Sequence, residues 1–306
     1  MIKVHPSLML FMMMLFISPL MLMSSDNWYM AWASMELSLF SFLPLFYYIK
    51  SVVESMVKYF IIQAGGSGLY IISFFSQSDM MLLISISMKL GLFPFFFWVP
   101  MVMNNLTWFG CMIISTIQKI TPMLLALMLK GGSIFLIISV LTVFTGGLMG
   151  CNQTLLRKLL AYSSIAHTGW LCCCTLISKS MLFIYMTFYF YLMMSIMYMM
   201  NKMKMNSITE SKNNSNLMFM TSFLMLVLTG IPPFTVFFLK MMVILQFTNF
   251  TLICISLLMS TMMAAFYYMS FILPSILTLN KSNTFSFMMT IHMTSSTILP
   301  MLMMLT

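Results

Sequence analysis

The stretch "AGGSGLYIISFFSQSDMMLLISISMKLGLFPFFFWVPMV", residues 64–102, holds the two features that decide the fold. It is almost wholly apolar, yet it carries a lysine, Lys89, far from either polar end. The whole chain has the same character: of its 306 residues, 61% are hydrophobic and 6% charged, and the mean hydropathy is +1.03. So little charge excludes a water-soluble domain and predicts an all-α polytopic membrane protein. The apolar runs are too long and continuous for a β-barrel.

A bilayer core requires about 20 apolar residues for each helix that crosses it. Charged points and points rich in Asn, Gly or Pro divide the chain into eleven predicted spans within a single membrane domain, 1–306. The spans are 6–23, 27–49, 55–78, 80–100, 106–129, 132–150, 154–178, 181–200, 217–246, 250–273 and 285–304. The polar stretch 201–216 is the one substantial loop that this division leaves.

Eleven spans place the two termini on opposite sides of the membrane, and the basic residues then divide eight to two in favour of the N-terminal side. The eight are Lys3, Lys50, Arg157, Lys158, Lys202, Lys204, Lys212 and Lys281, and the two are Lys130 and Lys179. Because basic loops stay on the inner side, the N-terminal side is predicted to face the matrix or cytoplasm.

Five ionisable side chains on five different spans share one predicted depth. Counted from the nearest polar residue at the C-terminal side of the membrane, they lie about 14–18 Å deep, near the middle of a core of about 30 Å. They are Glu36, Lys89, Lys119, His167 and Lys240. A single Glu–Lys pair can be a packing contact, and a lone membrane histidine can simply hydrogen-bond a neighbouring Ser or Thr. Desolvation favours the neutral form of a lysine, so a buried lysine gives up its proton more readily than an exposed one. A row of ionisable side chains at one depth therefore predicts a path for protons or ions instead of separate packing contacts.

Two spans contain glycine and proline at matching positions. Gly91-Leu-Phe-Pro94-Phe95 has the same register as Gly230-Ile-Pro-Pro233-Phe234, and each lies near one of the deep lysines. Glycine and proline interrupt a membrane helix and free backbone groups, as in the broken helices of transporters. A third proline, Pro122, follows Lys119. The pattern predicts two inverted five-helix repeats, 6–129 and 132–273, with 285–304 as an additional C-terminal helix.

Six stretches together resemble subunit 2 of the mitochondrial NADH:ubiquinone oxidoreductase, respiratory complex I. They are "WASMELSLFSFLPL" (32–45), "SMVKYFIIQA" (55–64), "MKLGLFPFFFWVPMV" (88–102), "LTWFGCMIISTIQKITPM" (106–123), "NQTLLRKLLAYSSIAHTGW" (152–170) and "LTGIPPFTVFFLK" (228–240). This family is similar to subunits of cation/proton antiporters with fourteen core helices. The animal subunit lacks the first three, which agrees with eleven spans. The chain is short for the family, and 201–216 and the region after about 275 match it poorly.

The resemblance implies a role for each deep residue. Glu36 is the glutamate paired with Lys89 on the first broken helix, and Lys119 is the central bridging lysine. Lys240 is the terminal lysine of the second half-channel, and His167 lies on the axis between the half-channels. The implied function is proton translocation, coupled to NADH oxidation and ubiquinone reduction in partner subunits. Two alternatives are a free-standing cation/proton antiporter and a passive membrane scaffold whose charges are relict ion pairs.

The sequence offers no site for redox chemistry in this chain. It has no dinucleotide fingerprint or iron–sulfur cysteine spacing, and the consecutive Cys172–Cys174 point about 100° apart on a helix and cannot close a metal site together. The resemblance therefore implies that FMN, iron–sulfur clusters and ubiquinone are bound by partner subunits. The expected partners are neighbouring antiporter-like subunits of complex I and lipids, with cardiolipin as a candidate, and not nucleic acid.

The amino-acid usage indicates where the protein is made. The chain has 43 methionines and one arginine, and methionine often stands where Ile or Leu would serve. This is typical of an AT-rich mitochondrial gene whose code assigns an additional codon to Met; drift in a bacterial membrane protein is the alternative. The prediction is a multi-pass protein of the mitochondrial inner membrane, with the N-terminus in the matrix and the C-terminus in the intermembrane space.

Overall fold

The computed structural model describes residues 6–24, 27–48, 52–129, 132–207, 215–232 and 234–278. Within these ranges the chain consists of α-helices joined by short turns, and the only β-type contact is an isolated bridge between Leu155 and Ser207. The helices are α1 (Pro6–Met23), α2 (Trp28–Tyr48), α3 (Val53–Ser76), α4 (Asp79–Leu90), α5 (Trp98–Asn105), α6 (Trp108–Ser115), α7 (Ile117–Ala126), α8 (Gly132–Gly150), α9 (Leu156–Ile177), α10 (Lys179–Met203), α11 (Ser215–Thr229), α12 (Thr235–Gln246) and α13 (Thr251–Thr278).

The predicted all-α polytopic fold is confirmed. Nine of the eleven predicted spans coincide with one helix or with two consecutive helices. The span 80–100 covers α4 but only the start of α5, which runs to Asn105, and the span 285–304 lies outside the described residues. By length and composition, six helices of the described chain can cross a membrane, with Trp108–Ala126 counted as one. The number of eleven spans therefore stays a prediction.

Both predicted helix breaks are present. The first separates α4 from α5 and the second separates α11 from α12. At the end of α4, Gly91 has φ +69°, and at the end of α11, Gly230 has φ +77°. This left-handed conformation ends a helix and favours glycine, which has no Cβ to clash with the backbone. The shared register of the two stretches is thus a shared backbone device, while the division into inverted repeats at 6–129 and 132–273 stays a prediction.

A third interruption lies at a position that no sequence pattern predicts. Thr116 separates α6 from α7 with φ −120° and ψ −81°, whereas Pro122 lies inside α7. The Met112 carbonyl at the end of α6 accepts from the Thr116 nitrogen at 3.2 Å and also from the Thr116 hydroxyl at 2.7 Å, so the hydroxyl adds a second bond to the last turn of α6. A new helix, α7, begins after the interruption, and Lys119 lies in its first turn. The direction in which the Lys119 side chain points is therefore set by α7 and not by α6.

Helix α9 lies at the centre of the packing, and almost all of its residues from 156 to 174 are buried. Its closest neighbour is α8. A Cβ atom on Gly169 would lie 2.4 Å from Thr142 Oγ1, and one on Gly146 would lie 2.7 Å from the Ala166 nitrogen. Such close approach through small residues gives membrane helices van der Waals contact that larger side chains prevent. The close packing against α8 therefore sets the position of α9, the helix that carries His167.

Arg157, the only arginine of the chain, joins three segments at the start of α9. Its Nη1 donates to the carbonyls of Asn104 and Leu106, each at 2.9 Å, and its Nη2 donates to Asn206 Oδ1 at 2.6 Å. The guanidinium also lies 5.6 Å from the centre of the Trp108 ring. Because the fork geometry satisfies two backbone carbonyls at once, Arg157 ties the α5–α6 turn and the segment after α10 to α9.

Candidate functional site

Four of the five predicted site residues are buried. Lys89, Lys119, His167 and Lys240 keep between 4 and 7% of their surface exposed, and Glu36 on α2 is half-buried. An ammonium group at the centre of a membrane costs about 2.5–3.5 kcal/mol on the insertion scale, so each lysine requires compensating partners. The partners differ from one lysine to the next.

Lys89 lies in the last turn of α4, just before the first break. Gln63 Nε2 of α3 donates to the Lys89 carbonyl at 3.2 Å, and Trp98 Nε1 of α5 donates to the Met88 carbonyl at 3.1 Å. Side chains of the neighbouring helices thus satisfy carbonyls that the end of α4 leaves free. The aliphatic part of Lys89 runs across Gly66 of α3, where a Cβ atom would lie 2.8 Å from Lys89 Cγ.

Glu36, the acidic residue predicted to pair with Lys89, does not lie within 4.0 Å of the Lys89 ammonium. Among the described residues, the ion pair within that distance is the one between Lys58 and Glu54, at the exposed start of α3. The approach of Glu36 to Lys89 within the reach of a bridging water stays a prediction. Gln118 Nε2 donates to the Ser38 carbonyl at 3.2 Å, which ties α7 to α2 close to Glu36.

Lys119 points from α7 to the central helix. Its Nζ donates to the Ser164 carbonyl of α9 at 2.9 Å and to the Tyr189 hydroxyl of α10 at 3.3 Å. The same ammonium lies 5.3 Å from the centre of the Tyr189 ring. A carbonyl dipole, a hydroxyl and an aromatic ring therefore hold a buried cation without a carboxylate in contact.

His167 lies on α9 one turn after Ser164 and contacts two tyrosines of α10. Its Nδ1 is 3.0 Å from the Tyr185 hydroxyl, and its ring stacks on Tyr189 with centroids 5.1 Å apart. The partner of His167 is thus a tyrosine and not the Ser or Thr of the simpler sequence interpretation. Tyr189 touches both His167 and Lys119, so a single side chain fills the space between them.

Lys240, in the middle of α12, folds back onto the second break. Its Nζ donates to the Thr229 carbonyl at the end of α11, at 2.8 Å, and lies 5.5 Å from the centre of the Trp170 ring. Ser164, His167 and Trp170 follow one another every three residues on α9 and so occupy one face of it. Lys119, the tyrosines and Lys240 contact this face in turn along about 9 Å of helix.

The sequence interpretation did not identify Tyr185, Tyr189, Trp170 and Gln63. The two tyrosines are four residues apart, which places them on one face of α10. The same helix carries two further tyrosines, Tyr191 and Tyr198, on other faces. Nothing in this spacing distinguishes the pair that points inward. The described residues contain no group of three His, Cys, Asp or Glu side chains that could hold a metal ion, and the six cysteines are free.

Comparison with known proteins places this arrangement in a family. The family model described as "NADH:quinone oxidoreductase/Mrp antiporter, TM" matches residues 73–266. NADH-ubiquinone oxidoreductase chain 2 of Lumbricus terrestris is 35% identical over 88% of this chain and 87% of its own. The same-named protein of Mus musculus is 32% identical over 92% of this chain and 89% of its own.

Solved structures share the fold. A chain of respiratory complex I from Thermus thermophilus superposes with a TM-score of 0.80 at 19% identity, covering 88% of this chain and 70% of that chain. A chain of the Mrp complex from Dietzia sp. gives a TM-score of 0.71 at 11% identity, covering 80% and 56%. Broken helices, buried lysines and these likenesses define an antiporter-like membrane protein. Within that class, the chain belongs to the NADH-ubiquinone oxidoreductase chain 2 family.

Proposed function

We propose that this chain is a core membrane subunit of respiratory complex I and carries protons across the mitochondrial inner membrane. The single observation that supports the proposal most is the face of α9 formed by Ser164, His167 and Trp170. Lys119 contacts one end of this face and Lys240 the other, and tyrosines lie between them. Isolated charge pairs of a passive scaffold have no reason to be aligned on one helix face.

In the proposed path, a proton passes from the Glu36–Lys89 pair to Lys119, then along α9 to His167 and Lys240, and leaves on the far side. Tyrosine hydroxyls both donate and accept hydrogen bonds, so Tyr185 and Tyr189 can join the polar groups through one or a few water molecules. His167 lies between the two lysines on this face, and its Nδ1 is 3.0 Å from the Tyr185 hydroxyl, so its ring can take part in a hydrogen-bonded path. The Thr229 carbonyl accepts a hydrogen bond from Lys240 at 2.8 Å and so holds the ammonium at the second break.

The redox chemistry is assigned to partner subunits. In this proposal NADH, FMN, the iron–sulfur clusters and ubiquinone bind elsewhere in the complex, and this chain belongs to the enzyme by coupling proton transfer to that chemistry. The named relatives support a mitochondrial membrane protein whose partners are other complex I subunits. The inner-membrane location follows from the proposed membership of complex I and is part of the proposal. The orientation, with the N-terminus in the matrix and the C-terminus in the intermembrane space, rests on the distribution of basic residues in the sequence and is also part of the proposal.

The test replaces Lys240 with methionine, which keeps an unbranched side chain as far as Cε and removes the ammonium group. In the assembled complex in sealed vesicles, Lys240→Met should lower NADH:ubiquinone turnover and proton pumping together. The reduction of a soluble electron acceptor by NADH, which needs only the redox subunits, should stay at the level of the unmodified complex. The control is Lys58→Met, since Lys58 is exposed and pairs only with Glu54 among the described residues.

Pumping by Lys240→Met that equals pumping by Lys58→Met would contradict a role for the α9 path. The free-standing antiporter makes a different prediction, because such a protein would migrate alone on a native gel and exchange a cation for protons without NADH. Comigration of the chain with NADH dehydrogenase activity in one large complex is the expected result and excludes that alternative.

A further inference from the structure

A cavity at one end of the helix bundle lies outside the α9 path. It is formed where α2 and α4 begin and α3 ends, and its volume is about 490 Å³. Small-molecule sites usually have volumes of about 300–1,000 Å³, so this one can hold a ligand of modest size. Its lining is mixed: Ser73, Gln77, Ser78 and Asp79 provide polar groups, and Trp28 and Phe74 provide aromatic walls.

A second, apolar groove lies beside this cavity, between α2 and α3. It has a volume of about 230 Å³ and is lined by aromatic and aliphatic side chains, among them Trp32, Tyr70 and Ile71. Trp28, Phe74 and Phe75 line both spaces. A polar cavity and an apolar groove therefore lie next to each other along one aromatic wall.

The walls and the floor of this site are held in place. The Trp28 ring packs against Tyr70 and Phe74, with centroids 5.6 Å apart in both pairs. In the turn between α3 and α4, the Ser78 nitrogen donates to the Ser73 carbonyl at 3.3 Å, and the hydroxyls of Ser76 and Ser78 lie 2.7 Å apart. The shape of the cavity is thus built into the turn and the aromatic cluster.

The charge of the lining selects the headgroup. Asp79 is exposed, and no lysine, arginine or histidine of the described residues lies within 4.0 Å of its carboxylate. A carboxylate repels an anionic headgroup and attracts a cationic one. The Asp79 carboxylate, the Gln77 amide oxygen and the serine hydroxyls all accept hydrogen bonds, which suits a primary ammonium with three donors better than a quaternary one. The Trp28 face adds an attraction for a cation.

We propose that this site binds a phospholipid with an ethanolamine headgroup. The ammonium lies at Asp79 and Gln77, and one acyl chain lies in the aromatic groove beside Trp32 and Tyr70. The lining disfavours cardiolipin here, because that lipid would bring its phosphates to the carboxylate. The proposal is independent of the proton path, since it concerns a different part of the fold.

The test uses the quenching of tryptophan fluorescence by lipids with brominated acyl chains. Trp28 and Trp32 border the groove, whereas the other three tryptophans, Trp98, Trp108 and Trp170, are buried. The full-length chain is reconstituted in choline-lipid bilayers that contain a small fraction of brominated ethanolamine lipid, brominated choline lipid or brominated cardiolipin. The ethanolamine lipid should quench with an apparent affinity about three- to tenfold higher than that of the other two.

Two variants assign the preference to the site. Asp79→Asn keeps the shape and removes the charge, and it should abolish the preference for ethanolamine. Glu54→Gln removes the exposed carboxylate at the start of α3, away from the cavity, and should keep it. Equal quenching by all three lipids in the unmodified chain, or stronger quenching by cardiolipin, would overturn the proposal without any variant. Density for a neighbouring subunit's side chains in the groove of the assembled complex would also overturn it.

Discussion

Replacement of Gly66 by alanine tests whether the position of Lys89 depends on the close approach of α3 and α4. A Cβ atom at Gly66 would lie 2.8 Å from Lys89 Cγ and 3.4 Å from the Ser85 carbonyl oxygen. Non-bonded carbon atoms prefer about 3.5–4.0 Å, so the lysine stem must move by about 1 Å. Two residues away on the same helix, Gly68 has no atom within 4 Å of such a Cβ, which makes Gly68→Ala a matched control.

The two variants differ in packing alone. Alanine in place of glycine stabilises a helix interior by about 0.5–1 kcal/mol, and this gain applies equally at both positions. Overpacking costs typically about 1–3 kcal/mol. Gly66→Ala should therefore be less stable than Gly68→Ala by about 1–3 kcal/mol, measured by unfolding of the full-length chain in mixed micelles.

The functional readout is proton pumping by the assembled complex in sealed vesicles. A shift of about 1 Å in a positioned group can cost up to about a hundredfold in rate, so Gly66→Ala should pump clearly more slowly than Gly68→Ala. If the two variants have the same stability and the same pumping rate, the crowding of Gly66 against Lys89 does not determine where this lysine lies.

Two further predictions concern other contacts. Gly230→Ala forces a residue with a Cβ atom into the left-handed conformation, which costs about 1–2 kcal/mol. The new Cβ atom would also lie 3.1 Å from Lys240 Cδ, so this variant should lower both stability and pumping. The control is Gly132→Ala, whose Cβ atom would meet only Leu176, at 3.9 Å, and which should leave both unchanged. Arg157→Lys loses the contacts of the guanidinium with two backbone carbonyls and with Asn206. It should lower the stability of the full-length chain by about 1–3 kcal/mol, because a lysine cannot reproduce the planar fork. An unchanged unfolding transition would contradict the anchoring role.

Much of the fold could be predicted because depth in a membrane helix follows from counting residues. The apolar runs gave the helices, and the matched Gly–Pro stretches gave both breaks, because a left-handed glycine and a following proline each end a helix on local grounds. The burial of Lys89, Lys119, His167 and Lys240 followed from their distance to polar residues. The interruption at Thr116 could not be found this way, since threonine is common inside apolar helices.

The contacts of the site were less predictable for a physical reason. A helix that is apolar all round has no stripe to indicate which face points inward, so sequence gives the height of a residue and not its direction. The partners of Lys119 and His167 come from α9 and α10, and the choice of Tyr185 and Tyr189 over Tyr191 depends on how those helices pack. The number of spans and the orientation in the membrane stay predictions for a different reason: the last predicted span, 285–304, lies outside the described residues.

The two breaks share a backbone device, but the lysines beside them are held in different ways. At the second break, Lys240 donates to the Thr229 carbonyl, so its ammonium is tied directly to the end of α11. At the first, Gln63 and Trp98 satisfy carbonyls near the end of α4, and the stem of Lys89 packs against Gly66 of α3. The position of Lys240 therefore depends on a hydrogen bond across its break, whereas the position of Lys89 depends on the packing of α3 against α4.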